Sequence, residues 1–145
     1  MKKTRSLAVK KHIALVAHDK KKDELLEWAL ENKETLKSHL IVATGSTGEL
    51  IEEKLEIPVT KLLSGPLGGD QQIGSMIAEG KLDFLIFFWD PLEAQPHDSD
   101  VKAVQRLAVA WNVLIASNRT TADFILHSAL MQAPYEIDIP DYSKF

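Results

Sequence analysis

Cysteine is absent from this chain. Its absence excludes disulfide scaffolds, zinc ribbons, thiol nucleophiles and iron–sulfur sites. Arginine is scarce, with only Arg5, Arg106 and Arg119, so a large bidentate guanidinium clamp on an anion is not available. Long apolar stretches are also missing. The longest, Phe84 to Trp89, falls far short of the roughly 18 residues a membrane helix needs. The basic start (Lys2, Lys3, Arg5, Lys10, Lys11) has no apolar region behind it before Ile13, so it does not read as a secretory signal, and a cytoplasmic globular domain is expected. A formal net charge of -4 argues against nucleic acid or an anionic membrane as partner. Taken alone, it would also argue against any anionic substrate. What remains is 145 residues with 45% hydrophobic content. One domain of that size can bury a core without metal or disulfide staples.

Within that domain, short apolar runs alternate with helix-period segments. The runs are His12–His18 (HIALVAH), Leu40–Thr44 (LIVAT), Val59–Ser64 (VTKLLS), Phe84–Asp90 (FLIFFWD) and Val113–Ser117 (VLIAS). They are largely continuous rather than alternating, as in strands covered on both faces of a parallel sheet. Between them lie stripes at helical spacing: Leu25, Leu26, Ala29 and Leu30, then Leu50, Ile51 and Leu55. Ile73, Met76 and Ile77 follow, then Val101, Val104, Ala108 and Trp111, and last Ala122, Ile125, Leu126, Ala129 and Leu130. They read as core-facing helix surfaces. The expectation is a single-domain, doubly wound α/β fold with a mainly parallel sheet of about five strands and flanking helices. Residues 1–11 form a basic N-terminal segment. The tail from Pro134 to Phe145 reads as extended, an edge strand lying over the body or a neighbour.

Ligands in such folds bind beyond the carboxyl ends of the strands. The segments that follow the five strands are His18-Asp19 with Lys20, Lys21 and Lys22, then TGSTG (Thr44–Gly48), GPLGGD (Gly65–Asp70), DPLEAQPHDSD (Asp90–Asp100) and SNRTTAD (Ser117–Asp123). Five of the seven glycines fall in two of these loops, so small, polar and acid–base residues gather on one sheet edge. In TGSTG, hydroxyls and helix N-terminal amides can form a neutral anion cradle, with the helix expected to begin near Thr47 or Gly48. The loop matches neither common nucleotide fingerprint. Asp70 reads as a helix N-cap or as a general base at a strand end. His97, in a long loop, reads as a solvent-exposed residue or as a group moving protons near neutral pH. Asp98 and Asp100 are expected to cap the next helix. His18 ends a strand and is either buried there or in contact with ligand, and one of Lys20–Lys22 can reach an anion. No two histidines have helical ligand spacing, so no metal is assigned. His12, His39 and His127 carry no functional assignment, and Trp28, Trp89 and Trp111 read as core or subunit contacts.

Those loops resemble the methylglyoxal synthase family. The likeness runs from HIALVAHD (His12–Asp19) to IPDY (Ile139–Tyr142). It is carried by VAHD (Val16–Asp19), ATGSTG (Ala43–Gly48), SGPLGGDQQIG (Ser64–Gly74), FFWDPLEAQPHDSDVKA (Phe87–Ala103) and TTADF (Thr120–Phe124). The resemblance implies a lyase that converts dihydroxyacetone phosphate to methylglyoxal and inorganic phosphate without metal or organic cofactor. It assigns Asp70 as the base acting at C3 and His97 as the group that hydrogen-bonds the enediolate and moves protons between its oxygens. His18, Asp19 and Lys22 would line the site. Thr44, Gly45, Ser46, Thr47, Ser64 and Gly65 would hold phosphate or substrate oxygens, and Asp90 and Asp100 would be supporting carboxylates. It also implies a homohexamer inhibited allosterically by phosphate.

Two departures stand out. The family loop commonly reads TGTTG, and Ser46 here keeps the hydroxyl without the methyl. Family members often carry a C-terminal arginine that reaches the neighbouring subunit's phosphate, whereas no arginine follows Arg119 here. Either that contact is absent or the sequence stops short of it. The competing classes are a non-enzymatic phosphometabolite-binding regulatory module of the same fold, which needs the cradle but not the Asp70–His97 pair, and another phosphosugar isomerase or lyase.

Overall fold

The computed structural model describes residues 3–93 and 98–143. Strands β2 (His12–Ala17), β3 (Leu40–Thr44), β4 (Val59–Leu62), β5 (Phe84–Phe88) and β6 (Leu114–Ala116) form one sheet, in the order β4-β3-β2-β5-β6. Every pairing in it is parallel. The helices are α1 (Lys22–Glu31), a single turn α2 (Lys33–Leu36), α3 (Gly45–Leu55), α4 (Gly69–Ala78), α5 (Asp98–Ala110) and α6 (Arg119–Leu126). The doubly wound α/β expectation therefore holds.

Alternate residues of each strand feed two separate cores. Ile13, Leu15, Phe84, Ile86 and Phe88 pack against α1, α3 and α6 on one face. Ala14, Val16, Leu85 and Phe87 pack against α4 and α5 on the other. Burial on both faces explains why these strands read as unbroken apolar runs. Trp28 is fully buried and donates from Nε1 to Asp123 Oδ1 at 2.7 Å, tying α1 to α6. Trp89 and Trp111 pack half-buried on the second core.

The strand order reverses between β2 and β5. The chain leaves β4 at one edge, crosses by α4 and re-enters beside β2. A crevice at the carboxyl ends of the strands results from this reversal. The loop leading into α4 is thereby carried toward the ends of β2 and β5.

The two chain ends meet in a separate two-stranded antiparallel ribbon. β1 (Lys3–Leu7) pairs with β7 (Tyr135–Ile139), with Arg5 opposite Ile137. The tail is thus a strand, but its partner is the N-terminal segment rather than an edge of the main sheet. Four element ends differ from expectation. α3 starts at Gly45, directly after β3, because Gly45 adopts φ +57 and turns the chain without a loop. Asp70 is not an N-cap: Gly68 holds that position, and Asp70 lies in the first turn. Likewise Asp98 and Asp100 stand inside the first turn of α5 rather than before it. The last apolar stripe also outruns its helix. α6 stops at Leu126, and Ala129–Gln132 form a 3-10 turn that buries Met131 while leaving Leu130 exposed.

Candidate active site

A cavity of about 240 Å³ opens at the reversal point. His18, Asp19, Lys22, Thr44, Gly45, Thr47, Ser64, Gly65 and Asp70 all line it. Four separate chain segments, each following a different strand or opening a helix, thus meet in one pocket.

One wall of the cavity is built from β3 and α3. Thr44 ends the strand with extended backbone and serves as the N-cap of α3 without a side-chain capping bond. Thr44 and Thr47 are 5% and 1% exposed. Thr47 Oγ1 has no hydrogen-bond partner among the described residues. A buried hydroxyl left so costs on the order of 1–3 kcal/mol unless a ligand engages it. Ser46 sits at the exposed rim and accepts from Lys22 Nζ at 3.2 Å. Lys22 also pairs with Asp19 at 2.9 Å. The three lysines divide their work. Lys20 is paired with Glu93, which holds its ammonium pKa above the usual value, and Lys21 pairs with Glu24 at 3.5 Å. Lys22 alone lines the cavity.

The opposite wall depends on a close backbone approach. A Cβ on Gly69 would lie 2.0 Å from the Leu63 carbonyl oxygen, so only glycine fits. The Gly69 N–H donates to Ser64 O at 2.9 Å, and the Gly45 N–H donates to Leu63 O at 3.3 Å. These bonds clamp the Leu63-Ser64 backbone between α3 and α4. Asp70 follows directly, 1% exposed, in the first turn of α4, where the amide dipoles favour a negative charge.

His18 forms the third side. It is 5% exposed, its N–H donates to Phe88 O at 3.1 Å, and its Nδ1 accepts from the Asp90 N–H at 2.9 Å. Phe87 meets the imidazole edge to face at 5.4 Å.

Asp90 stands behind His18, outside the cavity lining, and its Oδ1 accepts from the Leu92 N–H at 3.0 Å. Asp100 lines a neighbouring groove between α4 and α5, which Asp70 also lines. His97 lies outside the described residues. Phe87 and Pro66, which lay in stretches already singled out but had no site role assigned, line the pocket as well. Phe87 lay in an apolar run, and its position one residue before the strand end, at the head of the FFWDPLEAQPHDSDVKA stretch, was the signal that pointed to the site. Among the described residues no group of three or more histidine, aspartate or glutamate side chains could hold a metal ion.

Chemically, the cavity joins a buried carboxylate, an imidazole, one ammonium and an amide-and-hydroxyl cradle at a helix N-terminus. That set can hold a small phosphate ester and remove a proton from a carbon beside a carbonyl.

A family model described as an MGS-like domain matches residues 24–117. The methylglyoxal synthase of Erwinia tasmaniensis is 56% identical over 142 residues, 98% of this chain and 93% of that protein. That of Vibrio cholerae serotype O1 is 52% identical over 144 residues, 99% and 95% of the two chains. The crystal structure of methylglyoxal synthase from Elizabethkingia anophelis superposes with a TM-score of 0.91 at 56% identity, covering 97% of this chain and 93% of that one.

Proposed function

The chain belongs to the methylglyoxal synthase family, and on that premise we propose that it is a lyase whose cavity converts dihydroxyacetone phosphate to methylglyoxal and inorganic phosphate, with Asp70 as the base. The observation that carries the assignment of Asp70 is its burial in the same cavity as the α3 cradle. A C–H beside a carbonyl is a weak acid, so the reaction needs a placed base and donors to the developing enediolate.

Asp70 takes a proton from C3, and the C–H electron pair becomes the C2=C3 bond of the enediolate. The enediolate then collapses, the C1–O bond to phosphate breaks, and phosphate leaves with that electron pair. The enol left behind tautomerises to methylglyoxal. Elimination requires the C1–O bond to stand out of the enediolate plane. Thr44, Gly45, Ser46, Thr47, Ser64, Gly65 and Lys22 would hold the phosphate in that torsion, while His18 and Asp19 complete the wall. His97 retains the role the family resemblance implies, moving protons between the enediolate oxygens.

Asp70→Asn should abolish exchange of the C3 proton with solvent while binding of a non-reactive phosphate analogue stays nearly unchanged. Exchange at the wild-type rate in that variant would remove Asp70 as the base.

The same family reading gives a homohexamer, phosphate as an allosteric inhibitor and a cytoplasmic enzyme. Support for an assembly on this chain's own surface comes from an apolar recess lined by Leu7, Leu114, Phe124, Leu130 and Ile137, in which Phe124 is 80% exposed. No helix among the described residues is long and apolar enough to cross a membrane.

A further inference from the structure

We infer that His18 works as a fixed neutral donor, with its proton on Nε2, and that Asp90 is the residue that sets this tautomer. The inference rests on the lyase reading for its functional meaning, but the tautomer itself follows from local geometry alone.

A backbone N–H can only donate. Because the Asp90 N–H points at His18 Nδ1 at 2.9 Å, that nitrogen must present its lone pair and cannot carry a proton while the bond exists. The ring proton is therefore left on Nε2. Two further contacts hold the residue. His18 N–H to Phe88 O extends the β2–β5 pairing by one residue, and Phe87 stands edge-on to the imidazole. At 5% exposure, water does not compete for Nδ1. The imidazole that lines the cavity with Asp70 is thus preorganised in position and in protonation state.

Asp90 gains a specific role from this arrangement. Its carboxylate, 7% exposed, does not line the cavity; it accepts from the Leu92 N–H at 3.0 Å and closes a turn over Pro91. That turn orients the peptide whose N–H meets His18. Asp90 is accordingly a positioning residue, acting on substrate only through the imidazole.

A neutral Nε2–H suits the chemistry better than an imidazolium. It stabilises negative charge on the enediolate oxygen by hydrogen bonding without surrendering its proton. A protonated enediolate would lose the charge that expels phosphate. Removing one such preorganised donor typically costs about 10²–10³ in kcat.

The test begins with the wild-type full chain labelled with ¹⁵N at histidine. Long-range ¹H–¹⁵N spectra distinguish the two tautomers and the charged ring, and the His18 signals are those missing from His18→Gln. The expected pattern is unprotonated Nδ1 with protonated Nε2; a protonated Nδ1 overturns the inference. Asp90→Ala, which opens the Leu92 turn, should mix the tautomers. Asp90→Asn, which keeps an oxygen for Leu92, should restore the single pattern. An unchanged spectrum in Asp90→Ala removes Asp90 as the positioning residue. In turnover of dihydroxyacetone phosphate, His18→Gln can place an amide N–H near the ε position, and His18→Asn cannot. Gln should therefore keep kcat within about tenfold while Asn loses about 10²–10³, with little change in KM. Equal losses in the two would end the donor role. If the wild-type protein released no methylglyoxal, the lyase reading would fail while the tautomer measurement still stood.

Discussion

His39 shows how far a residue's surroundings can depart from its sequence context. It follows Ser38 in a polar stretch, yet it is 6% exposed, and its Nδ1 accepts the Lys11 main-chain N–H at 2.9 Å. Burial, followed by the nearby Lys11 charge, pushes its pKa below the ordinary histidine value. The unfolded chain therefore binds the proton first as pH falls. Stability contributed by neutral His39 is complete above about pH 6.5 and is lost as pH drops below that value toward the folded-state pKa. Urea unfolding at pH 7.5 and pH 5.5 should show a smaller acid-side loss in His39→Asn, whose carbonyl can accept the same N–H without titrating. An identical loss in wild type and variant would assign the acid sensitivity to other groups. Lys11 departs in the same way. It reads as part of a basic, solvated start, but it is 1% exposed, and its ammonium is held by the carbonyls of Ala8, Val9 and Ala133. Burial lowers its pKa. No local pattern signals either residue, because the partners that hold them include distant segments: Ala133 against Lys11, and Lys11 against His39.

Among the elements, the central strands β2, β3 and β5 were readable because they are covered on both faces and need apolar residues almost without a break. The ribbon was not. β1 carries charged, half-exposed residues, and its partner lies at the other end of the chain. Its attachment rests on Arg5, which donates to Gly80 O at 3.2 Å, Leu82 O at 2.8 Å and Asp83 Oδ1 at 2.7 Å. Asp83, 5% exposed, also accepts the His12 N–H at 2.7 Å at the start of β2. Arg5→Ala would leave that carboxylate buried beside an uncompensated gap. Breaking one side of such a pair costs about 3 kcal/mol. The denaturant midpoint should fall accordingly, with the activity per folded molecule nearly intact because the ribbon residues do not line the cavity at the strand ends. A loss under about 0.5 kcal/mol would mean that water replaces the guanidinium. Helix ends were the least legible feature. Gly45 begins α3 with no intervening loop, and the stripe of α6 continues into a 3-10 turn, so hydrophobic spacing alone misplaces both boundaries.

At the scale of the molecule, the net charge of -4 is compatible with a phosphate ester as substrate. The cavity supplies helix amides, the Thr44 and Thr47 hydroxyls and Lys22 locally, and Asp19 and Asp70 belong to the site's own acidic complement. The proposed assembly is checked by light scattering on the purified chain, which should give a mass near six times 16.2 kDa. A monomer at micromolar concentration would discard the hexamer while leaving the active-site chemistry untouched. By itself the sequence determined the α/β alternation, the parallel sheet and the edge on which the site residues gather. These are consequences of strand burial and of where glycines and polar residues must lie along one chain. Only the tertiary structure decided which loops converge. The crossover from β4 to β5 sets Asp70 and His18 around one cavity, the close approach of Gly69 to Leu63 fixes the entry to α4, and the Asp90 amide faces the His18 ring. Asp70 and Asp90 each lie more than fifty positions from His18 along the chain, and these placements follow from packing and topology rather than from any local pattern.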